Sequence, residues 1–204
     1  MPRPKLIRQN EFPYHVTSRT NNKVPFPLPM YHVWDLAKQA LIYARKNVNV
    51  EINCFVLMNN HYHLLVTTPN ENLDRFMMYF NLKLSKLISR NARVINHKFS
   101  NRYKWTIVSN QDYLQNVYRY IYQNPLRVNI VERCIDYPYS SLHFTSFEAR
   151  LLNYRPHFMY ADEVSFYEQR FSSNLTNIIS TSLKRSVFEI PLSVSTHDRK
   201  MLKS

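Results

Sequence analysis

His61-Tyr62-His63 is the first place in this sequence where residue type and spacing together suggest chemistry. On a strand, side chains two apart project from one face, so both imidazoles can reach a single metal ion. The flanks suit a strand: Cys54 to Met58 and Leu64 to Val66 are apolar, and Asn59-Asn60 offers a turn between them. A pair of half-buried sheet histidines would give the same local pattern. The second group is Tyr113, Tyr118, Tyr120, Tyr122 and Asn124, on a segment that runs into Pro125. On a helix, Tyr120 and Asn124 are four apart and share a face that Tyr113 and Val117 extend. Tyr118 and Tyr122 point away from it. A hydroxyl and an amide oxygen on one helix face can supply a nucleophile and a third metal ligand. An amphipathic helix using Tyr as core is the plainer alternative.

Such groups need rigid elements to hold them. Residues 12–19 alternate as a strand, with Tyr14, Val16 and Ser18 on one face and His15, Thr17 and Arg19 on the other. A Pro-spaced loop leads to a helix over 30–46 with Val33, Ala37, Leu41 and Ala44 on one stripe. Residues 50–58 and 61–68 read as a hairpin. A helix over 71–91 buries Leu73, Phe76, Met77, Phe80, Leu84, Leu87 and Ile88. Residues 102–108 read as a fourth strand, and Ser109-x-x-Asp112 as the cap of a helix that Pro125 ends. The order is strand, helix, strand, strand, helix, strand. That is an α+β chain with a ferredoxin-like split βαβ core, an antiparallel sheet with helices on one face and the Tyr-bearing helix added after it. Residues 1–145 form this domain. Residues 146–204 are a C-terminal helical extension packed on it, with helices near 161–171 and 172–186 and a polar tail that frays after about 191.

Composition narrows the partners. Lys and Arg number 27 against 14 Asp and Glu, a formal net charge of +13, so a polyanion is the leading expectation, nucleic acid above all. Two cysteines, Cys54 and Cys134, exclude a disulfide framework and a four-Cys zinc site. No apolar run is long enough for a membrane helix, and Met1-Pro2-Arg3-Pro4-Lys5 leads into no signal-like stretch, so a cytoplasmic, nucleoid-associated location is expected. Glycine is absent, which excludes glycine-dependent phosphate loops and leaves left-handed turns to Asn or Asp. Lys83, Lys86, Arg90 and Arg93 form a basic stripe on the second helix, either a solvated face or a phosphate contact.

Taken together the motifs resemble the HUH-type single-tyrosine transposases, most closely the REP-associated tyrosine transposase branch. The resemblance rests on Tyr14 to Arg19 with Asn21-Asn22, then Phe55 to Met58 leading into Asn60 to Val66. It continues through Phe99, Arg102-Tyr103, Arg119-Tyr120-Ile121, Asn124-Pro125, Arg127 and Tyr137 to Ser141. It covers roughly residues 10–145. It departs from the family at Thr20 and Asn101, where Gly is usual, at Asn59, where Pro is usual, and at Tyr139, where Trp is usual.

The resemblance implies that His61 and His63 bind a divalent metal, Mg²⁺ or Mn²⁺, with Asn124 as third ligand, and that Tyr120 is the nucleophile. It implies an endonuclease and strand transferase that cleaves and rejoins single-stranded DNA, with hairpin or REP-like repeats as substrates, through a 5′-phosphotyrosine. A phosphotyrosine diester keeps the energy of the broken bond, so no nucleotide cofactor is expected. DNA contacts are expected from Arg19, Asn21, Asn22, Lys83, Lys86, Arg90, Arg93, Lys98, Arg102, Lys104, Arg119 and Arg127, with neighbouring aromatics stacking unpaired bases. A domesticated, catalytically silent binder of single-stranded or hairpin DNA is the alternative. A ferredoxin-like RNA-binding domain and a metal-dependent hydrolase fit less well, the first for want of its Gly-aromatic motif and the second for want of an acidic cluster. Sequence leaves monomer against homodimer open.

Overall fold

The computed structural model describes residues 5–94, 99, 102–156 and 163–202. Its core runs β1 (Tyr14–Arg19), α1 (Met30–Asn47), β2 (Glu51–Leu57), β3 (His61–Thr67), α2 (Leu73–Ala92) and β4 (Lys104–Ile107). The strands form one sheet in the order β2-β3-β1-β4, antiparallel throughout. This is the expected ferredoxin-like arrangement, and it puts β1 and β3 side by side in the middle.

Pleating divides the residues of these strands between two layers. On one face, Tyr14, Val16, Phe55, Leu57, Tyr62 and Leu64 pack under the apolar stripes of α1 and α2. The aromatic contacts are close, with Phe55 stacked on Trp34 at 5.7 Å and edge-on to Phe80 at 6.1 Å between ring centres. The alternation expected along 50–58 does not hold throughout. A register shift between Ile52 and Cys54 inserts a bulge at Asn53. Ile52 therefore joins Phe55 and Leu57 under α1 and α2, whereas Cys54 and Val56 turn to the opposite face.

That opposite face is covered by α3 (Gln111–Tyr122), α4 (Asn124–Arg127) and the C-terminal helices α6 (Glu163–Glu168), α7 (Ser173–Ser182) and α8 (Thr196–Met201), whereas α5 (Ser146–Leu152) packs beside α1 and adds Leu152 to the first core. Helices thus lie on both faces of the sheet. Asn110, not Ser109, caps α3, its side chain accepting from the Asp112 amide at 2.9 Å. Pro125 does not end the helical path. It sits in the first turn of α4, where a missing N–H costs nothing. The tail expected to fray is anchored instead. The Asn116 amide donates to the Leu202 carbonyl at 2.8 Å, and Leu202 is buried against the second core.

Both outer strands are blunted, which protects a sheet from pairing with another chain. Tyr137 to Ser141 close the β2 side: the Leu57 amide donates to the Tyr139 carbonyl at 2.9 Å and the Phe55 amide to Ser141 Oγ at 2.9 Å. Residues 186–188 close the β4 side through Ile107. Six described residues hold positive φ without glycine: Asn22, Asn129 and Asn153 as expected, but also Lys23, Glu71 and Arg93. The Asn59-Asn60 turn needs none.

Candidate active site

The strand register lines up one polar face of the sheet. Thr17 pairs with His63, Arg19 with His61 and His15 with Leu65, so His15, Thr17 and Arg19 share a face with both site histidines. The rings of His61 and His63 stand edge-to-face with centres 5.2 Å apart. His15 was not marked by the sequence reading. It is buried, lies diagonal to His63 across the strand pair, and places its Nε2 at 2.9 Å from His63 Nδ1. Its ring stacks on that of His63 at 5.2 Å. The alternation along 12–19 held the signal, because any residue on the Thr17 side of β1 faces the same way as His63 once those strands pair.

Each site histidine has its Nδ1 engaged. His61 Nδ1 donates to the Asn60 side-chain oxygen at 2.7 Å, so Nε2 is its bare nitrogen. His63 uses Nδ1 toward His15, and its Nε2 takes part in no hydrogen bond among the described residues. Burial, with Arg19 and Arg127 nearby, pushes His61 down to about 4. Burial pushes His15 to about 3. His63 is held well below its ordinary value by burial first, then by His15, His61, Arg127 and Arg19. The rings are neutral at pH 7, the form that binds metal.

From α3, Tyr120 presents its ring edge-to-face to His63, with centres 6.2 Å apart. Its two neighbouring tyrosines are placed differently. The Tyr122 hydroxyl lies 2.8 Å from Ser141 Oγ and 3.2 Å from the Tyr154 hydroxyl, in the second core, and Tyr118 is buried in that core as well. Only 7% of Tyr120 is exposed, yet no described protein group hydrogen-bonds its hydroxyl and that oxygen is not sealed from solvent. The Arg127 guanidinium lies over the Tyr120 ring, 4.0 Å from its centre, and donates to Asn124 Oδ1. The Asn124 amide nitrogen donates back to the Tyr120 and Ile121 carbonyls at 3.1 and 3.0 Å. A cation using Asn124 Oδ1 must therefore share that oxygen with the Arg127 guanidinium or displace it. Among the described residues no three His, Cys, Asp or Glu side chains are grouped so as to hold a metal ion.

The profile of the IS200-like transposase family matches residues 9–124. The chain belongs to that family. A solved structure of a REP-associated tyrosine transposase bound to a REP hairpin shares the fold, with TM-score 0.59 and 19% identity over 70% of this chain and 84% of that one. A search of curated proteins gives no significant match. Among the described residues no helix is long and apolar enough to cross a membrane.

The basic residues expected to meet DNA in this IS200-like chain fall into three groups. Arg19, Lys104 and Arg127 lie on the histidine side: Lys104 pairs with Thr17, and the charges of Arg19 and Arg127 reach both site histidines. Asn21 and Asn22 stand exposed in a loop tied to the turn before His61. The Thr20 amide donates to the Asn60 carbonyl at 2.8 Å, and Asn60 Nδ2 donates to the Lys23 carbonyl at 2.7 Å. At the departure from the family pattern, Thr20 is extended and its hydroxyl donates to the Val24 carbonyl. The left-handed positions fall on Asn22 and Lys23 instead.

The second group is remote from the histidines. Lys83, Lys86 and Arg90 ride on α2, which covers the other face of the sheet, Arg93 follows as its left-handed cap, and Lys83 sits 4.9 Å over the Tyr43 ring. Arg102 lines a cavity on that side with Asp74 and Tyr103. The third is a correction. Arg119 is not a surface contact. Its guanidinium is held between Phe171 at 3.8 Å and Phe166 at 4.8 Å, and the residue is 8% exposed. Position 119 is on the side of α3 that faces α6 and the start of α7, and burial there lowers its pKa to about 10. Lys98 and Asn101 lie outside the described residues.

Proposed function

We propose that this chain cleaves and rejoins single-stranded DNA at hairpin-forming sites, with Tyr120 as nucleophile. One observation carries the reading: of the tyrosines at 118, 120 and 122, Tyr120 has its ring against His63 and its hydroxyl unclaimed by any described residue. The hairpin-bound relative and the net charge of +13 support DNA as the partner.

The donor set fits Mg²⁺ or Mn²⁺: Nε2 of neutral His61, Nε2 of neutral His63 in the tautomer whose Nδ1 donates to His15, and the Asn124 amide oxygen once Arg127 yields it. A cation held there would polarise the scissile phosphate and offset the charge that develops on it. The remaining work belongs to side chains. His15 and Asn60 hold the two rings by their Nδ1 atoms, so each imidazole keeps its orientation. Tyr120 oxygen forms a bond to phosphorus as the bond to the 3′-oxygen breaks, and the 3′-oxygen leaves as a hydroxyl. One phosphodiester replaces another, so attack by a 3′-hydroxyl reverses the step without nucleotide hydrolysis. Arg127, once off Asn124, remains near enough to pair with a phosphate oxygen.

The test is a labelled hairpin oligonucleotide with a single-stranded flank, incubated with Mn²⁺ and resolved under denaturing conditions. The wild type and Tyr118→Phe yield a protein–DNA adduct, and Tyr120→Phe yields none. An adduct that persists in Tyr120→Phe overturns the assignment. Tight hairpin binding with no adduct under either metal identifies a silent DNA binder instead.

A further inference from the structure

The C-terminal extension adds something the family match does not reach. A cavity of about 390 Å³ opens between α4 and the start of α7. Its polar lining comes from Gln123, at the end of the matched residues 9–124, and from Arg127, Asn129, Arg170, Ser173, Thr176 and Asn177 beyond them. Two arginines thus line one space, and neither has a carboxylate partner among the described residues. Arg170 is exposed and donates only to the Glu132 backbone carbonyl, at 3.0 Å. Like charges lining one cavity repel unless an anion sits between them. The rest of the wall favours the same sign. Ser173 is the first residue of α7, a helix of ten residues, and Ser172 caps only the Leu175 amide in that turn, at 3.2 Å. Amide N–H groups at such an end attract anions.

The location gives the anion an identity. Arg127 is the wall between this cavity and the nucleophile, since the same guanidinium lies 4.0 Å from the Tyr120 ring centre. An anion in the cavity is one guanidinium away from the atom that attacks DNA. Phe171 also lines the space and is braced from behind by Arg119.

We propose that this cavity holds a phosphate of the single-stranded flank next to the one attacked by Tyr120, gripped between Arg127 and Arg170. The proposal rests on the strand-transfer reading for which phosphate it is, but its test reads binding and not cleavage. Fluorescence anisotropy compares two labelled hairpin oligonucleotides, one with a single-stranded flank and one blunt, over a range of salt. Arg170→Gln lowers affinity for the flanked hairpin by about tenfold, the scale of one hydrogen bond to a charged group. It also flattens the dependence of log affinity on log salt by about 0.7, the value for one single-strand phosphate. Arg170→Glu weakens the flanked hairpin further, Arg170→Lys retains most of the affinity, and the blunt hairpin is unaffected by all three.

Unchanged affinity and slope for Arg170→Gln and Arg170→Glu overturn the proposal. So does equal weakening of both hairpins, which makes Arg170 a general charge. Inorganic phosphate supplies the other control: a cavity that binds it in the wild type, while DNA affinity ignores Arg170, is a free-anion site and not a strand contact. The two readings fail separately. A wild type that forms no adduct but loses flank affinity in Arg170→Gln keeps the cavity and discards strand transfer. A wild type that forms adduct with Arg170 irrelevant to binding does the reverse.

Discussion

The two faces of the sheet are made by the same four strands and obey different rules. Under α1 and α2, buried aromatic and aliphatic side chains interlock, and the Tyr62 hydroxyl reaching that layer donates to Asn81 at 2.7 Å. Across the sheet, His61 and His63 stand within electrostatic reach of Arg19 and Arg127, His15 lies against His63, and protonation of all three histidines is suppressed. One face is lined by apolar side chains that pack under two helices. The other holds an arrangement that packing alone would not select, and rigid central strands carry it. The difference teaches that a demanding polar site is affordable where the reverse of its own strands is a dense apolar core.

The largest effect expected from breaking this division is on the apolar side. Phe55→Ala removes a ring stacked on Trp34 and should cost about 3–5 kcal/mol in urea unfolding. A loss under about 1 kcal/mol would mean that this layer is not the stabilising one. Next, His15→Phe on the polar side should weaken Mn²⁺ binding by about 10- to 100-fold in titration calorimetry while the protein stays folded. Unchanged affinity would remove His15 from its positioning role.

A smaller effect is graded by pH. The three site histidines have folded-state values below the ordinary 6.5, so the unfolded chain binds more protons as pH falls through that value. Stability of the metal-free protein is then full above about pH 6.5 and declines toward pH 4, by up to about 1.4 kcal/mol per pH unit for each histidine. Melting temperature measured between pH 7 and pH 5 should fall, and His15→Phe should make that fall shallower. The smallest effect lies far from both faces. Lys38 on α1 meets Glu148 on α5 at 2.8 Å with both side chains largely covered, so Lys38→Met should cost about 1 kcal/mol or less in thermal melts and leave DNA affinity unaltered.

The core elements were legible because their signals are local and periodic. The stripe Leu73, Phe76, Met77, Phe80, Leu84 and Ile88 admits one helix face, and the alternation around His61 and His63 admits one strand face. Motif order then set the topology. What escaped depended on contacts between distant segments. His15 looked like an ordinary strand residue until β1 and β3 became neighbours. Arg119 looked like a phosphate contact because nothing in its own helix shows that Phe166 and Phe171 enclose it. The bulge at Asn53 is set by the pairing register with β3, which the residues of β2 alone do not reveal. The anchored tail was missed for a similar reason: a polar stretch closed by one buried Leu202 is held by an amide 86 positions earlier.

The Asn60 side chain has a further consequence. A backbone carbonyl can only accept, so the NH₂ end of that amide must face Lys23 and its oxygen must face His61. The orientation of a peptide group 38 positions before the ring thereby dictates which imidazole nitrogen carries hydrogen. A substitution that merely tilts the loop at Lys23 could exchange the two ring nitrogens' roles, silencing the centre while every one of its own side chains stays in place.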